Sequence, residues 1–270
     1  MADPVVPPVV VAVDGWRARV DAADPVLLRG DGVFETLLVC DGQVWLLDEH
    51  LARLTSSAAQ LGLAAPDHRQ WQSAARDAVR RWDRGGEAVL RLLLGREGIA
   101  VAMVSALPER VPAARRDGVA AVTLRRPAQP QALRTVKSLS YAQNSAALRQ
   151  AASRGAGDVI FTGAGGVVLE GPRSAVLVAT ADGELLTPDA PDILASITVQ
   201  AVFDAAGQRG LRCRRAALSV PDLNAAQGVW LLSSITVAAP VCSLDGTPLA
   251  RTDLHTFTGP LEKTWRKPVV

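Results

Sequence analysis

The Asp-Gly dipeptides at Asp14-Gly15, Asp41-Gly42 and Asp182-Gly183 constrain the fold more than any other feature, because each falls between two short runs that can be read as strands. Asp-Gly accepts the positive φ angles of a two-residue hairpin turn, so the flanking runs are expected to pair antiparallel. Val9 to Val13 and Trp16 to Val20 flank the first, Phe34 to Val39 and Val44 to Leu47 the second, Ser174 to Ala179 and Glu184 to Thr187 the third. After the second hairpin, Asp48 can cap a helix that carries Leu51, Leu54, Ala58 and Leu61 on one face and ends at Gly62. A second helix is expected over 67–83 with Trp71, Ala75, Ala78 and Trp82 inward, followed by strands over 88–95 and 99–106. Hairpins, two helices and two further strands predict an α+β domain with its helices on one sheet face.

From Pro108 to Gly118 the chain is rich in Pro, Arg and Ala without an apolar period, which reads as a linker. The expected organisation is a small N-terminal domain over 1–110, a linker over 111–118 and a larger C-terminal domain over 119–270. The second domain opens on a strand near 119–125, and after Tyr141 an alanine-rich helix runs to about Arg154, stopped by Gly155. Val159 to Thr162 and Val167 to Glu170 read as a hairpin around Gly163-Ala164-Gly165-Gly166. That glycine cluster leads into a strand rather than a helix and is not a dinucleotide fingerprint. A helix from Ser196-Ile197-Thr198 to about Gln208 follows, then strands near 211–217, 229–233 and 236–244. Arg29-Gly30-Asp31 reads as a turn before a strand.

Composition narrows the function classes. Twenty-nine cationic against 27 anionic side chains leave a net charge of +2, too balanced for a nucleic-acid footprint, and Arg212, Arg214 and Arg215 read as one charged strand face. Cys40, Cys213 and Cys242 lie far apart, as do His50, His68 and His255, so neither a disulfide framework nor a metal site is expected, which fits a reducing cytoplasm. The first residues, MADPVVPPVVVAV, lack a basic start and are broken by prolines, so they do not read as a signal peptide. No apolar run approaches the ~20 residues of a membrane span.

Lysine is scarce. Only Lys137, Lys263 and Lys267 occur, against 26 arginines, so Lys137 is the one lysine in the body of the chain. A guanidinium does not lose its proton in a protein whereas a buried ammonium can, and a deprotonated lysine serves as general base or Schiff-base nucleophile. Four residues on is Tyr141, the only tyrosine, which stays near that amine if a helix begins near 140. A strand-end lysine and a helix-start tyrosine with structural roles is the competing reading. Other polar residues carry a similar pair of readings. Glu170 ends a Val-Val-Leu run as a solvated strand end, Ser233-Ser234 ends another as a turn, and Arg53 flanks core leucines as a surface residue. Ser196-Ile197-Thr198 opens a helix either as an ordinary cap or as an anion site made of backbone N–H groups.

Taken together these motifs resemble the class IV aminotransferase family of pyridoxal-phosphate enzymes, which includes branched-chain aminotransferases, D-amino acid transaminases and aminodeoxychorismate lyases. The resemblance rests on GDGVFETL at 30–37, LDEHLARLTSSAAQLGL at 47–63, KSLSYAQNSAAL at 137–148, GDVIFTGAGGVVLEGPRSAVLV at 157–178, ILASIT at 193–198 and VWLLSSITVAAPV at 229–241. It implies the two-domain fold type IV, with a small α/β N-terminal domain, a larger α/β pseudo-barrel C-terminal domain, a homodimer and pyridoxal 5'-phosphate at the domain interface. Residue by residue, Lys137 matches the Schiff-base lysine that moves the proton at the substrate α-carbon. Glu170 matches the carboxylate facing the pyridine nitrogen, which keeps that nitrogen protonated and the ring an electron sink. Arg53, in the H-x-x-R-L pattern His50-Leu51-Ala52-Arg53-Leu54, matches the arginine that grips the phosphate with paired bonds. Ser196, Ile197 and Thr198 match the helix start around that phosphate, Ser233 and Ser234 the second phosphate loop, and Tyr141 the phenol that hydrogen-bonds the 3-oxygen.

The sequence also departs from its relatives. Tyr141 follows Lys137 without the K-x-x-G-N-Y pattern of branched-chain enzymes, and Phe34 stands where D-amino acid transaminases typically have tyrosine. Arg96 fits the first member of an Arg-x-His pair, but Gly98 replaces the histidine, and Phe34 with the KSLSY stretch also resembles aminodeoxychorismate lyases. The resemblance implies reversible amino transfer between a D-amino acid, or related (R)-amine, and a 2-oxo acid, with Arg96, Phe34 and Arg29 as candidate substrate contacts. Splitting of 4-amino-4-deoxychorismate to 4-aminobenzoate and pyruvate is the alternative reaction, and a non-catalytic binding module of the same fold is the second alternative. No nucleic-acid or membrane partner is expected.

Overall fold

The computed structural model describes residues 7–13, 22–96 and 99–260. They divide into two compact units, one holding the described residues up to Pro108 together with Val136–Tyr141, the other holding Glu109–Thr135 and the described residues from Ala142 onward.

The first unit runs β1 (Val9–Ala12), α1 (Pro25–Arg29), β2 (Gly32–Cys40), β3 (Gln43–Val44), α2 (Leu47–Gln60), α3 (His68–Arg81), β4 (Glu87–Gly95) and β5 (Ala100–Ala106). Its sheet has the order β1-β5-β4-β2-β3 with antiparallel neighbours throughout. The expected hairpin around Asp41-Gly42 forms, with Cys40 opposite Gln43 and both turn residues at positive φ. Of the first expected hairpin, residues 14–20 lie outside the described residues, and β1 pairs with β5, Val9 opposite Val104. Asp48 does not cap α2. The cap position is Leu46 in the left-handed region, and Asp48 lies in the first turn, where its charge favours the positive end of the helix and its carboxylate accepts from Gln72 of α3. Leu51, Leu54 and Ala58 of α2 and Trp71, Ala75 and Ala78 of α3 are buried with Val33, Leu37, Leu90, Leu92 and Val104 of the sheet in one core, so both helices cover the same sheet face.

β3 pairs only with the last two residues of β2. Along the same edge, the other end of β2 receives the strip Val136–Tyr141. Val33 bridges Ser138, the Phe34 N–H donates to the Lys137 carbonyl at 3.0 Å, and the Leu139 N–H donates to the Gly32 carbonyl at 2.9 Å. Val136 is buried in the core of the first unit. The backbone on either side of Lys137 is therefore held as an added strand.

The second unit contains α4 (Arg110–Asp117), β6 (Val119–Arg125), α5 (Gln131–Arg134), α6 (Ala142–Ser153), β7 (Asp158–Thr162), β8 (Ala175–Ala179), β9 (Leu185–Pro188), α7 (Ile197–Gly207), β10 (Cys213–Ala216), α8 (Val220–Asn224), β11 (Gly228–Ser233), β12 (Val237–Leu244), β13 (Thr247–Pro248) and α9 (His255–Thr258). Its sheet runs β10-β9-β8-β11-β12-β6-β7, with β13 beside β12. The pairs β6–β7, β6–β12 and β9–β10 are parallel and the others antiparallel. One face carries Ile160, Val176, Val229, Leu231 and Val241, and the other packs Val122, Val159 and Phe161 against Ala147 and Ala151 of α6. The stretch expected as an irregular linker is largely the helix α4. Pro112 sits in its first turn, where the missing N–H costs nothing, and α4 buries one apolar residue, Val111, so no period marks it. The expected strand 167–170 is reduced to a bridge between Thr162 and Val168 with bonds between Phe161, Leu169 and Glu170.

Gly30 controls how closely the strip approaches. It ends α1 at φ +66°, and a Cβ there would stand 3.0 Å from the backbone N and Cα of Ser140. Gly30→Ala is expected to lower stability by about 1–2 kcal/mol from the left-handed conformation alone and to speed amide exchange at Phe34 and Leu139. Urea unfolding and hydrogen exchange check this, and unchanged protection at Leu139 would show that the strip tolerates the extra methyl.

Candidate active site

Lys137 is half-buried, and its place is set by the strip. Its N–H donates to Ser57 Oγ of α2 at 3.3 Å, and its Nζ lies 4.8 Å from the centroid of the Phe34 ring. Phe34 also meets Tyr141 edge to face, with ring centroids 5.8 Å apart. The lysine and tyrosine singled out by scarcity are thus joined by one aromatic ring of β2. A cation over that ring is favoured by roughly 0.5–2 kcal/mol, the more so where water is scarce.

The opposite face of β2 carries a charge. Glu35 falls in the buried alternation Val33, Glu35, Leu37, Val39 and is itself wholly buried. Arg53 Nε donates to Glu35 Oε1 and Arg53 Nη2 to Oε2, each at 2.7 Å, and His50 Nδ1 stands 2.7 Å from Oε2. Burial pushes the Glu35 carboxyl up, but Arg53 and His50 outweigh it and hold the group far below the ordinary carboxylate range. Burial pushes His50 down more than Glu35 pulls it up, with the Arg53 and Lys137 charges adding to the downward shift. His50 is therefore neutral and donates through Nδ1 to the ionised Glu35. Arg53 is not the surface residue its position suggested, because one edge of its guanidinium is spent on a buried partner.

In the second unit, Glu170 is not a solvated strand end. Arg126 donates to its Oε1 and the Leu194 N–H to its Oε2 at 3.2 Å, while the Arg126 guanidinium lies 5.5 Å over the Phe161 ring and also donates to the Asp192 carbonyl. Arg134 holds the Asp192 carboxylate with two bonds of 2.9 Å. Ser196 is the N-cap of α7, its Oγ accepting from the Val199 N–H at 3.2 Å. The N–H groups of Ile197 and Thr198 open the helix and have no partner within it. Ser233 Oγ accepts from the Thr236 N–H at 3.2 Å, and the turn ends at Val237 with φ +61°. A β-branched residue in that region is strained, and such strain gathers where a loop is held for a purpose.

Lys137, Phe34, Tyr141 and Arg53 belong to the first unit, where Phe34 touches both Lys137 and Tyr141 and Arg53 holds Glu35, and Glu170, Ser196, Ile197, Thr198, Ser233 and Ser234 belong to the second. Arg96 departs from expectation. Its Nε and Nη2 bind the Asp31 carboxylate at 2.7 and 3.2 Å, and its Nη2 and Nη1 donate to the Leu61 and Gly62 carbonyls at 3.0 and 3.3 Å. A guanidinium spent on a carboxylate and on the negative end of α2 closes a helix end and is not presented to an incoming carboxylate. Gly98 lies outside the described residues, and Arg29 ends α1 with an exposed side chain. The sequence did not point to Glu35 and His50, which join Arg53 in one buried cluster, or to Arg126, which holds Glu170. A charged residue at an inward position of β2 was the available signal for Glu35, and nothing local marked Arg126.

The donors fit the group that the resemblance implies. An amine suits an aldehyde, a fixed carboxylate suits a pyridine nitrogen, and a guanidinium in the one unit and helix-start amides in the other are each of a kind that suits a phosphate.

Comparison with known proteins points the same way. The family described as Amino-transferase class IV matches residues 32–244. The chain is 48% identical over 256 residues to a bifunctional aminodeoxychorismate lyase / D-amino acid transaminase of Mycobacterium tuberculosis, covering 86% of this chain and 88% of that protein. It superposes on a hypothetical aminotransferase from Mycobacterium tuberculosis in its PLP-bound form with TM-score 0.90 and 45% identity, over 96% of this chain and 99% of that one. For the α-ketoglutarate- and PMP-bound form the values are 0.88 and 46%, over 95% and 98%.

The buried cluster makes an acid-stability prediction. His50 stays neutral in the folded chain, whereas an unfolded histidine takes up a proton near pH 6.5, so stability falls as pH drops below that value. Glu35 stays ionised when folded, whereas an unfolded glutamate is protonated near 4.3, so a further loss opens below about pH 4.5. His50→Asn, whose amide can donate to Glu35 without titrating, should remove the first loss and keep the second. Urea unfolding at pH 7.5, 5.5 and 4 measures both, and an unaltered slope between 7.5 and 5.5 in the variant would place the acid lability elsewhere.

Proposed function

Since the chain belongs to the amino-transferase class IV family and is a pyridoxal-phosphate-dependent aminotransferase, we propose that it moves an amino group between a D-amino acid, or a related (R)-amine, and a 2-oxo acid. The observation that carries the reading is Lys137, the only lysine among the described residues, held by backbone pairing on the unit that also presents Arg53. The D-amino acid is supported by the relative that is 48% identical over 256 residues, and the 2-oxo acid by the solved structure bound to α-ketoglutarate.

Bound pyridoxal phosphate supplies an aldehyde that exchanges amines and a ring that draws electrons from the carbon losing its proton. The chain's own residues do the rest. Lys137 Nζ takes the proton from the α-carbon of the donor and, in the return half-reaction, gives one to the α-carbon of the acceptor. Glu170 presents a negative charge to the ring nitrogen, with Arg126 and the Leu194 N–H fixing its orientation. Arg53, the amides of Ile197 and Thr198, Ser196, Ser233 and Ser234 would hold the phosphate, and the Tyr141 phenol would bond the 3-oxygen. Phe34 lies against the amine and lines the donor side.

We read the enzyme as a homodimer of the cytoplasm. Leu27 and Leu28 of α1, 59% and 63% exposed, give an apolar surface suited to a second copy, and the three free thiols suit a reducing compartment. No helix of the described residues is long and apolar enough to cross a membrane. A second reading, cleavage of 4-amino-4-deoxychorismate to 4-aminobenzoate and pyruvate, is favoured by the same relative, whose name carries both activities. Lys137 and Glu170 would serve it without an amino acceptor.

Incubation with D-alanine and 2-oxoglutarate, with L-leucine and 2-oxoglutarate, and with aminodeoxychorismate alone separates the readings. Pyruvate from D-alanine with little turnover of L-leucine is expected, and aminobenzoate formed without an acceptor would establish the lyase. Borohydride should fix the cofactor to Lys137, and label on Lys263 or Lys267, or none, would remove the basis of the reading. Glu170→Gln should retain the cofactor while kcat falls about 10²- to 10³-fold, the usual scale for losing one charge-stabilising group. Unchanged turnover would make Glu170 purely structural.

A further inference from the structure

We propose that Glu35 is a positioning residue for the cofactor phosphate, acting through Arg53 and never touching the cofactor itself; the inference rests on the reading that Arg53 binds that phosphate.

The position of Glu35 calls for a reason other than stability. Val33, Leu37 and Val39 share its face of β2 and are at most 2% exposed. An apolar residue there would pack with them, whereas a carboxylate must be stripped of water, and a buried ion pair seldom stabilises more than well-packed apolar groups of the same size. What the carboxylate supplies is geometry. Its two oxygens take Nε and Nη2 of Arg53, the two donors on one edge of the guanidinium, at 2.7 Å each. Such a fork-to-fork pair fixes the plane of the guanidinium and its rotation within that plane. His50, one turn earlier on α2, loads Oε2 from a third direction at 2.7 Å, so the carboxylate cannot turn to follow the arginine. The remaining edge of Arg53 is thereby aimed away from Glu35, on a side chain 14% exposed. A long arginine would otherwise spend rotamer freedom on binding an anion, and here that cost has already been met in folding.

This role differs in kind from general support of the fold, because its loss should be felt only by ligands that carry the phosphate. The test titrates apoenzyme with pyridoxal 5'-phosphate and with pyridoxal, which lacks the phosphate, reading the absorbance of the bound cofactor, for the native chain, Glu35→Gln, Arg53→Gln and the double variant. Glu35→Gln is expected to weaken pyridoxal phosphate about 10- to 100-fold, the scale of one hydrogen bond to a charged group, and pyridoxal less than about twofold. The double variant should bind pyridoxal phosphate no more weakly than Arg53→Gln alone, because both changes remove one unit. Equal losses for both ligands would overturn the inference in favour of a structural role, and so would additive losses or no loss. If Arg53→Gln leaves pyridoxal phosphate binding intact, the phosphate assignment of Arg53 itself fails. If Arg53→Gln shows the selective loss and Glu35→Gln does not, only the positioning role fails. Should Glu35→Gln not fold, Glu35→Asp, which keeps the charge but shortens its reach, must show the same phosphate-selective loss in smaller degree, and an unselective loss there overturns the inference.

Discussion

The first unit depends on how the edges and faces of β2 are shared out. One edge is taken along its whole length by β4, and the other is split between the short hairpin strand β3 and the strip around Lys137. An open strand edge accepts any segment that matches its N–H and C=O groups, and here the match is a segment roughly a hundred residues away in the chain. The two faces of the same strand then do different work. Phe34 meets the lysine amine on one side, while Glu35 fixes an arginine of α2 on the other. One extended stretch of backbone thus sets the places of an amine and of a cation, neither of which lies on that strand.

Arginine explains why lysine is scarce elsewhere. Glu35, Glu170 and Asp192 are each held by a guanidinium, from Arg53, Arg126 and Arg134 respectively. Arg53 grips Glu35 with two nitrogens of one edge, and Arg126 divides its guanidinium between Glu170 and the Asp192 carbonyl, a sharing of several donors that an ammonium does less well. Arginine cannot serve where an amine must release a proton, and Lys137, the only lysine among the described residues, is the position we propose for that role.

Much of this was legible in the sequence where the signal is local. The Asp41-Gly42 hairpin, the apolar stripe of α2, the strands β4 and β5 and the cap at Ser196 follow from spacing and turn chemistry within a few residues. Lys137 stood out through composition. What escaped depended on distant partners. α4 has one buried apolar residue and is tied by Arg115 to the carbonyls of Ile235 and Thr236, so no periodicity announces it. Arg96 looked available because Asp31 and the end of α2, which engage it, are 65 and 34–35 residues away. Glu35 drew no notice because the residues that hold its charge, His50 and Arg53, lie 15 and 18 positions further along the chain.

The strip Val136–Tyr141 also bears on how the chain is made. Its neighbours in sequence, Thr135 and Ala142, belong to the second unit, so the first unit is not a contiguous stretch of polypeptide. A ribosome that has released everything up to Pro108 has delivered the sheet and both large helices of that unit, yet residues Gly32 to Phe34 still show an unpaired edge and Val136 is missing from the core. That edge stays open until 141 has emerged, by which time α4, β6 and α5 are already outside the tunnel. Domains commonly complete themselves in order of synthesis. Here the earlier unit must wait for a segment embedded in the later one, and the segment it waits for is the one that brings the amine.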